Sequence, residues 1–103
     1  MRLITAMALS VLTFPVGAQY YQELVFNQAS ELVPWCKSEA EARYIAAGVT
    51  PYQWTSRYYD RSNVLYVEGK LRVNGNDVAV TCKIARGARE RYATIQIDDP
   101  SLG

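Results

Sequence analysis

Hydrophobic positions follow two different periods along this chain. Between residues 30 and 47 they recur about every 3.6 residues, and from residue 52 onward they alternate in twos. Val33, Cys36, Ala40, Tyr44 and Ala47 form one stripe of the first segment, with Lys37, Ser38 and Glu41 facing away. The spacing predicts a helix over 30–47. Ser30 can cap a first turn that contains Glu31, and Pro34 offers a second start, because a missing N–H is harmless in a first turn. Gly48 suits a left-handed stop, with Pro51 soon after.

The later alternation predicts four strands. Residues 52–59 are rich in Tyr, Trp and Thr, with Tyr52, Trp54 and Tyr58 on one face and Arg57 and Tyr59 on the other. A turn over 60–63 leads to a second strand, 64–73. Asn74-Gly75 is the strongest short hairpin signal, a type I′ turn, and opens a third strand over 76–85. A looser turn at 86–89 precedes a fourth strand at 91–97, closed by Asp98-Asp99-Pro100. A two-residue loop at Asn74-Gly75 fixes the register. Leu71 then faces Val78, Gly69 faces Val80, Val67 faces Cys82 and Leu65 faces Ile84, all on one dry face. Arg72 with Asp77, Glu68 with Thr81, and Tyr66 with Lys83 make the wet face. Slipping by one residue would drive Lys70 and Arg72 inward, so the register is well specified. Ala93, Ile95 and Ile97 extend the dry face.

Cys82 therefore points to the layer where the helix stripe carrying Cys36 must pack, which predicts a Cys36–Cys82 disulfide. The expected fold is α+β, with one N-terminal helix packed on a four-stranded antiparallel meander. In outline, and in outline only, this resembles cystatin-like and related exported scaffolds. Residues 19–28, with Tyr20, Tyr21, Leu24, Val25 and Phe26, read as a short helix or an arm that docks on the core.

The first eighteen residues set the compartment. Met1-Arg2 is a positive start, Leu3 to Phe14 is uncharged and apolar, and Val16-Gly17-Ala18 is a small-residue cleavage site after Pro15. This reads as a secretory signal peptide, leaving 19–103 as one exported domain, periplasmic or secreted. An oxidising compartment is where a disulfide persists. Of 11 Lys and Arg side chains, Arg2 leaves with the signal, so the ten that remain balance 10 Asp and Glu. A neutral domain has no global field for nucleic acid or anionic lipid. No later run is long enough to span a bilayer.

With 0 histidines, the chain lacks the commonest general base and metal ligand. Oxidised cysteines give no thiolate. Glu39 and Glu41 diverge around the helix, and Asp60, Asp98 and Asp99 read as turn chemistry rather than a cation loop. No cofactor, metal or catalytic residue is expected. Two groups remain as binding candidates. One is the surplus of Trp35, Tyr44, Tyr52, Trp54, Tyr58, Tyr59 and Tyr66, too many and too divergent in direction for a single core face. The other is the basic turn Lys83, Arg86, Arg89 and Arg91. Tyr, Trp and Arg are enriched at interface hot spots. The expected function is a non-catalytic binding module for a protein partner in the envelope or outside the cell, of an inhibitor or immunity kind. Its contact residues would be Arg57, Tyr59, Tyr66, Lys83, Arg86, Arg89 and Arg91. A glycan or lipid binder using the same aromatics is the alternative, and an enzyme based on Glu68 or Asp60 a weaker third reading.

Overall fold

A computed structural model describes residues 23–102. The signal segment and its cleavage site lie outside the described residues. The elements run β1 (Val25–Phe26), α1 (Ala29–Ala46), β2 (Tyr52–Arg61), β3 (Val64–Val73), β4 (Asn76–Ala85), β5 (Ala88–Arg89), a short 3-10 turn at Glu90–Tyr92, β6 (Thr94–Ile97) and a second 3-10 turn at Pro100–Leu102. One antiparallel sheet has the order β2-β3-β4-β6, and β1 pairs with β5 as a separate ribbon. The helix is thus not the first element, because the arm before it forms β1. Among the described residues no helix is long and apolar enough to cross a membrane.

The start of α1 differs from expectation. Gln28 is the cap, and Ser30 lies inside the first turn. Glu31 decides this: its carboxylate accepts the backbone N–H of Asn27 at 2.8 Å and of Gln28 at 3.2 Å, satisfying donors that the helix cannot. The helix then runs through Pro34 without restarting. Pro34 has no N–H to donate to the Ser30 carbonyl, but Ser30 is exposed near the start of the helix, where the loss is cheap. At the far end Gly48 has φ 79°. Its N–H reaches the Ile45 carbonyl at 3.0 Å and the Val49 N–H reaches that of Tyr44 at 2.9 Å, so the last carbonyls are capped.

The buried stripe of α1 is Ala29, Leu32, Cys36, Ala40 and Tyr44. Ala47, expected inside, is exposed, since Gly48 turns the chain away one residue later. Beneath the stripe lie Leu65, Val67, Leu71 and Val73 of β3 and Val78, Val80, Cys82 and Ile84 of β4, all buried. The β3–β4 register is the one read from Asn74-Gly75, with Leu71 opposite Val78, Gly69 opposite Val80, Val67 opposite Cys82 and Leu65 opposite Ile84. Cys36 and Cys82 are disulfide-bonded, with Cα atoms 5.9 Å apart. Ile95 and Ile97 of β6 stand opposite Cys82 and Val80 and pack against the core.

Two boundaries shift, and a bulge interrupts β2. The first hairpin turn contracts to Ser62-Asn63, both at positive φ, so β2 extends to Arg61. The fourth sheet strand starts at Thr94, because Glu90–Tyr92 winds into a 3-10 turn. In β2 a bulge between Tyr52 and Thr55, with Gln53 at φ 55°, resets the alternation. Tyr52 consequently stands opposite Arg72 on the outer face, parted from Trp54 and Tyr58.

The buried Tyr44 hydroxyl donates to Asp99, tying α1 to the chain beyond β6. Burial, and then Asp99, raise the Tyr44 pKa, while Tyr44 and Ser101 lower that of Asp99. A carboxylate with a lowered folded pKa stabilises fully above its unfolded value and loses that contribution as pH falls through the folded value. Tyr44→Phe is expected to cost about 1 kcal/mol at neutral pH, by loss of one hydrogen bond. In urea titrations, the gap between wild type and variant should shrink as pH falls below the Asp range. A gap that does not change with pH would contradict the assignment.

Candidate functional site

Alternation that buries one side of the sheet leaves the other open to solvent. Through β2, β3, β4 and β6 the register sets side chains on this outer face in rows that cross the strands. One row is Tyr59, Tyr66, Lys83 and Thr94, and the next is Arg57, Glu68, Thr81 and Gln96. The helix covers only the inner face, so these rows meet no other layer among the described residues.

The centre of the face is built around Tyr59 and Tyr66. Their rings stack with centroids 5.0 Å apart and planes at 14°. Arg57 and Arg61 approach the Tyr59 ring at 5.6 Å and 5.8 Å from its centroid. Glu68 holds this group in place: it accepts Arg57 Nη2 at 2.6 Å and the Tyr59 hydroxyl at 2.8 Å. The Arg57 guanidinium, and then the Tyr59 hydroxyl, keep the Glu68 carboxyl below its usual range. The same bond to Glu68 raises the Tyr59 pKa. Glu68 is therefore an ionised orienting group, with both oxygens engaged.

Beside this centre the charge is uneven. Arg57, Arg61, Lys70, Arg72 and Lys83 share the face with Glu68 and Asp77, and Asp98 keeps the same parity just beyond β6, opposite Ala79. Arg72 is committed to Asp77 at 2.9 Å and to the Gly75 carbonyl at 2.6 Å. Lys70 and Lys83 have no carboxylate partner among the described residues. Beside Lys70 lies a shallow depression of about 480 Å³, lined by Thr55, Arg57, Glu68, Lys70, Ala79 and Thr81. Small Ala79 makes the dip, and the two threonines supply hydroxyls at its rim. A second hollow of about 260 Å³ lies by Tyr66, Lys83 and Thr94, against the exposed Tyr92.

Of the residues expected from the sequence, Arg57, Tyr59, Tyr66 and Lys83 gather here. The three arginines of the basic turn do not join them. Arg86 turns toward the helix start, where it pairs with Asp60 and donates to the Asn27 carbonyl at 2.8 Å. Arg91 is held by Glu23 through several bonds, the shortest 2.7 Å, and donates its backbone N–H to the same carboxylate at 2.9 Å. Arg89 pairs through its backbone with Val25 in the small ribbon. The turn is thus a structural knot tying the arm to the sheet. Arg61, Lys70 and Tyr92 were missed by sequence reasoning. For Arg61 and Lys70 the signal was available: Lys70 shares the parity of Tyr66 in the register already read from Asn74-Gly75, and Arg61 shares that of Arg57 once the turn is shortened to two residues.

No group of three or more His, Cys, Asp or Glu side chains among the described residues is placed to hold a metal ion. Compared with protein-family models, with curated proteins and with solved structures, the chain matches none.

Proposed function

We propose that this chain is a small non-catalytic binding module, acting in the periplasm or outside the cell, whose outer sheet face takes an acidic patch of a protein partner. Its mode would be that of an inhibitor or immunity factor, carried on a scaffold of cystatin-like outline. The observation that carries this reading is the half-buried Tyr59–Tyr66 stack on the open sheet face, ringed by Arg57 and Arg61 and flanked by Lys70 and Lys83, which have no carboxylate partner among the described residues. Aromatics pre-set by a carboxylate lose little entropy on contact, and unpaired cations steer an acidic partner. The chain supplies no imidazole, and its disulfide leaves no free thiol among the described residues. Glycan recognition is the weaker alternative, favoured by the threonine-rimmed depression. Against it, the two tyrosines cover each other's faces and leave less open ring for a sugar to stack upon.

The test uses a tagged chain to capture its partner from envelope and medium fractions, followed by calorimetry on the purified pair. Lys70→Glu combined with Lys83→Glu should weaken binding by about tenfold or more and flatten its salt dependence. Lys37→Glu, on the helix, should bind as wild type does. Equal affinity for all three proteins would overturn the proposal, as would capture of glycan alone.

A further inference from the structure

The sheet has two edges, and they differ in kind. On one side β6 is four residues long, and the Asp98 N–H folds onto the Ala79 carbonyl immediately before the Pro100 turn. That edge is short and ends at a proline turn, both of which limit pairing with another chain. On the other side β2 is ten residues long. Its regular run, 55–61, contains no proline and has no strand beyond it among the described residues. Tyr58 adds a second oddity. It stands opposite the buried Val67 on the helix side of the sheet, yet is 55% exposed. The start of the helix, at Gln28–Ser30, lines a hollow with Tyr58 but leaves more than half of the ring open to solvent.

We infer that two copies of this chain pair antiparallel through β2, in the register centred on Tyr58, joining their sheets into one. A twofold axis through the sheet keeps inner faces with inner and outer with outer, so each register is named by the residue that meets itself. Centring on Arg57 sets that arginine against its own copy. Centring on Tyr59 sets Arg57 against Arg61, and centring on Asp60 sets two carboxylates together. Like charges directly opposite are destabilising. Centring on Tyr58 avoids every such clash. Tyr58 then meets the partner's Tyr58, Ser56 meets the partner's Asp60, Arg57 meets the partner's Tyr59, and Thr55 meets the partner's Arg61. Registers centred on Ser56 or Thr55 also oppose no like charges, but they pair at most three residues of the regular run, whereas the Tyr58 register pairs the whole of 55–61 with itself. Pairing covers the stray Tyr58 and brings the two Tyr59–Tyr66 stacks together as a single outer surface. The inference does not depend on what that surface recognises.

Sedimentation of the full chain, with its disulfide intact, should show a monomer–dimer equilibrium between roughly 1 µM and 1 mM. Tyr58→Lys places two cations opposite each other and should weaken the dimer about tenfold or more, while circular dichroism stays native because the side chain is exposed. Directly opposed residues of an antiparallel pair have Cα atoms about 4.5–5.5 Å apart, within disulfide range. Mild oxidation of Tyr58→Cys should therefore give a covalent dimer, and Ile45→Cys, exposed on the helix, should not. A monomer across the whole range would overturn the inference, as would unchanged association of a folded Tyr58→Lys, equal cross-linking at both positions, or a Tyr58→Cys adduct formed only with another protein. Should Tyr58→Lys fail to fold, the cysteine pair decides alone.

Discussion

Removing the disulfide by Cys36→Ala and Cys82→Ala is expected to lower unfolding stability by about 4 kcal/mol. The bridge closes a loop spanning 46 residues, which holds the rest of α1, the whole of β2 and β3, and most of β4. In the chain-entropy account, cross-linking a loop of this length removes that much freedom from the unfolded chain. The total available to a domain of this size is about 5–10 kcal/mol. The loss is therefore comparable with the whole stability of the domain, and no surface contact described above approaches it. Both sulfurs lie in the most buried layer, between the helix stripe and the sheet, so alanine also leaves a small void there. Urea titration followed by circular dichroism should show the midpoint falling by half or more. A loss under about 1 kcal/mol would mean that packing alone holds α1 to the sheet.

Gly69→Ala is expected to destabilise by about 2 kcal/mol and to expel the Trp54 indole from the inner face. A Cβ on Gly69 would lie 2.2 Å from Trp54 Cη2, with Cζ3 and Cζ2 at 2.7 Å and 2.8 Å. The six-membered ring of the indole thus sits directly on the glycine. Trp54 Nε1 is buried without a hydrogen-bond partner among the described residues, so packing alone holds the ring. On backbone grounds the effect would have the opposite sign, because alanine in a strand is favoured over glycine by roughly 0.5–1 kcal/mol. Steric conflict must win for the prediction to hold. In a Trp35→Phe background, Trp54 emission should shift to the red on Gly69→Ala. In a Trp54→Ala background, Gly69→Ala should become neutral or stabilising, since the clash has gone. A cost unchanged by removal of Trp54 would refute the packing account.

Much of the sheet was legible because its two faces differ completely in polarity. In β3 and β4 every second residue is apolar or glycine, and Asn74-Gly75 permits few turns, so the register follows and the disulfide with it. β2 was harder to read. Its bulge falls at Gln53, which carries no glycine or asparagine to announce a positive φ, so Tyr52 was assigned to the wrong face. Ser62-Asn63 is a weaker turn signal than Asn-Gly, and a turn drawn too wide hid Arg61. Two-residue ladders such as Val25–Phe26 against Ala88–Arg89 are too short to show a period. The candidate site was half legible for a related reason. Parity along a strand places Arg57, Tyr59, Tyr66 and Lys83 on one face without further knowledge. An arginine in a loop has no parity, and its fate depends on which distant carboxylate it meets. Glu23 captures Arg91 from 68 residues away, and Asp60 captures Arg86 from 26.

On the proposed function, the protein meets its partner with the outer face of the sheet. Photo-cross-linking in the producing cells addresses this contact most directly, with the reactive side chain introduced at Thr81 on that face or at Ser38 on the helix. The account predicts one discrete heterologous adduct from Thr81, lost when Lys70 and Lys83 are both changed to Glu, and none from Ser38. An adduct formed from Ser38 and absent from Thr81 would contradict it.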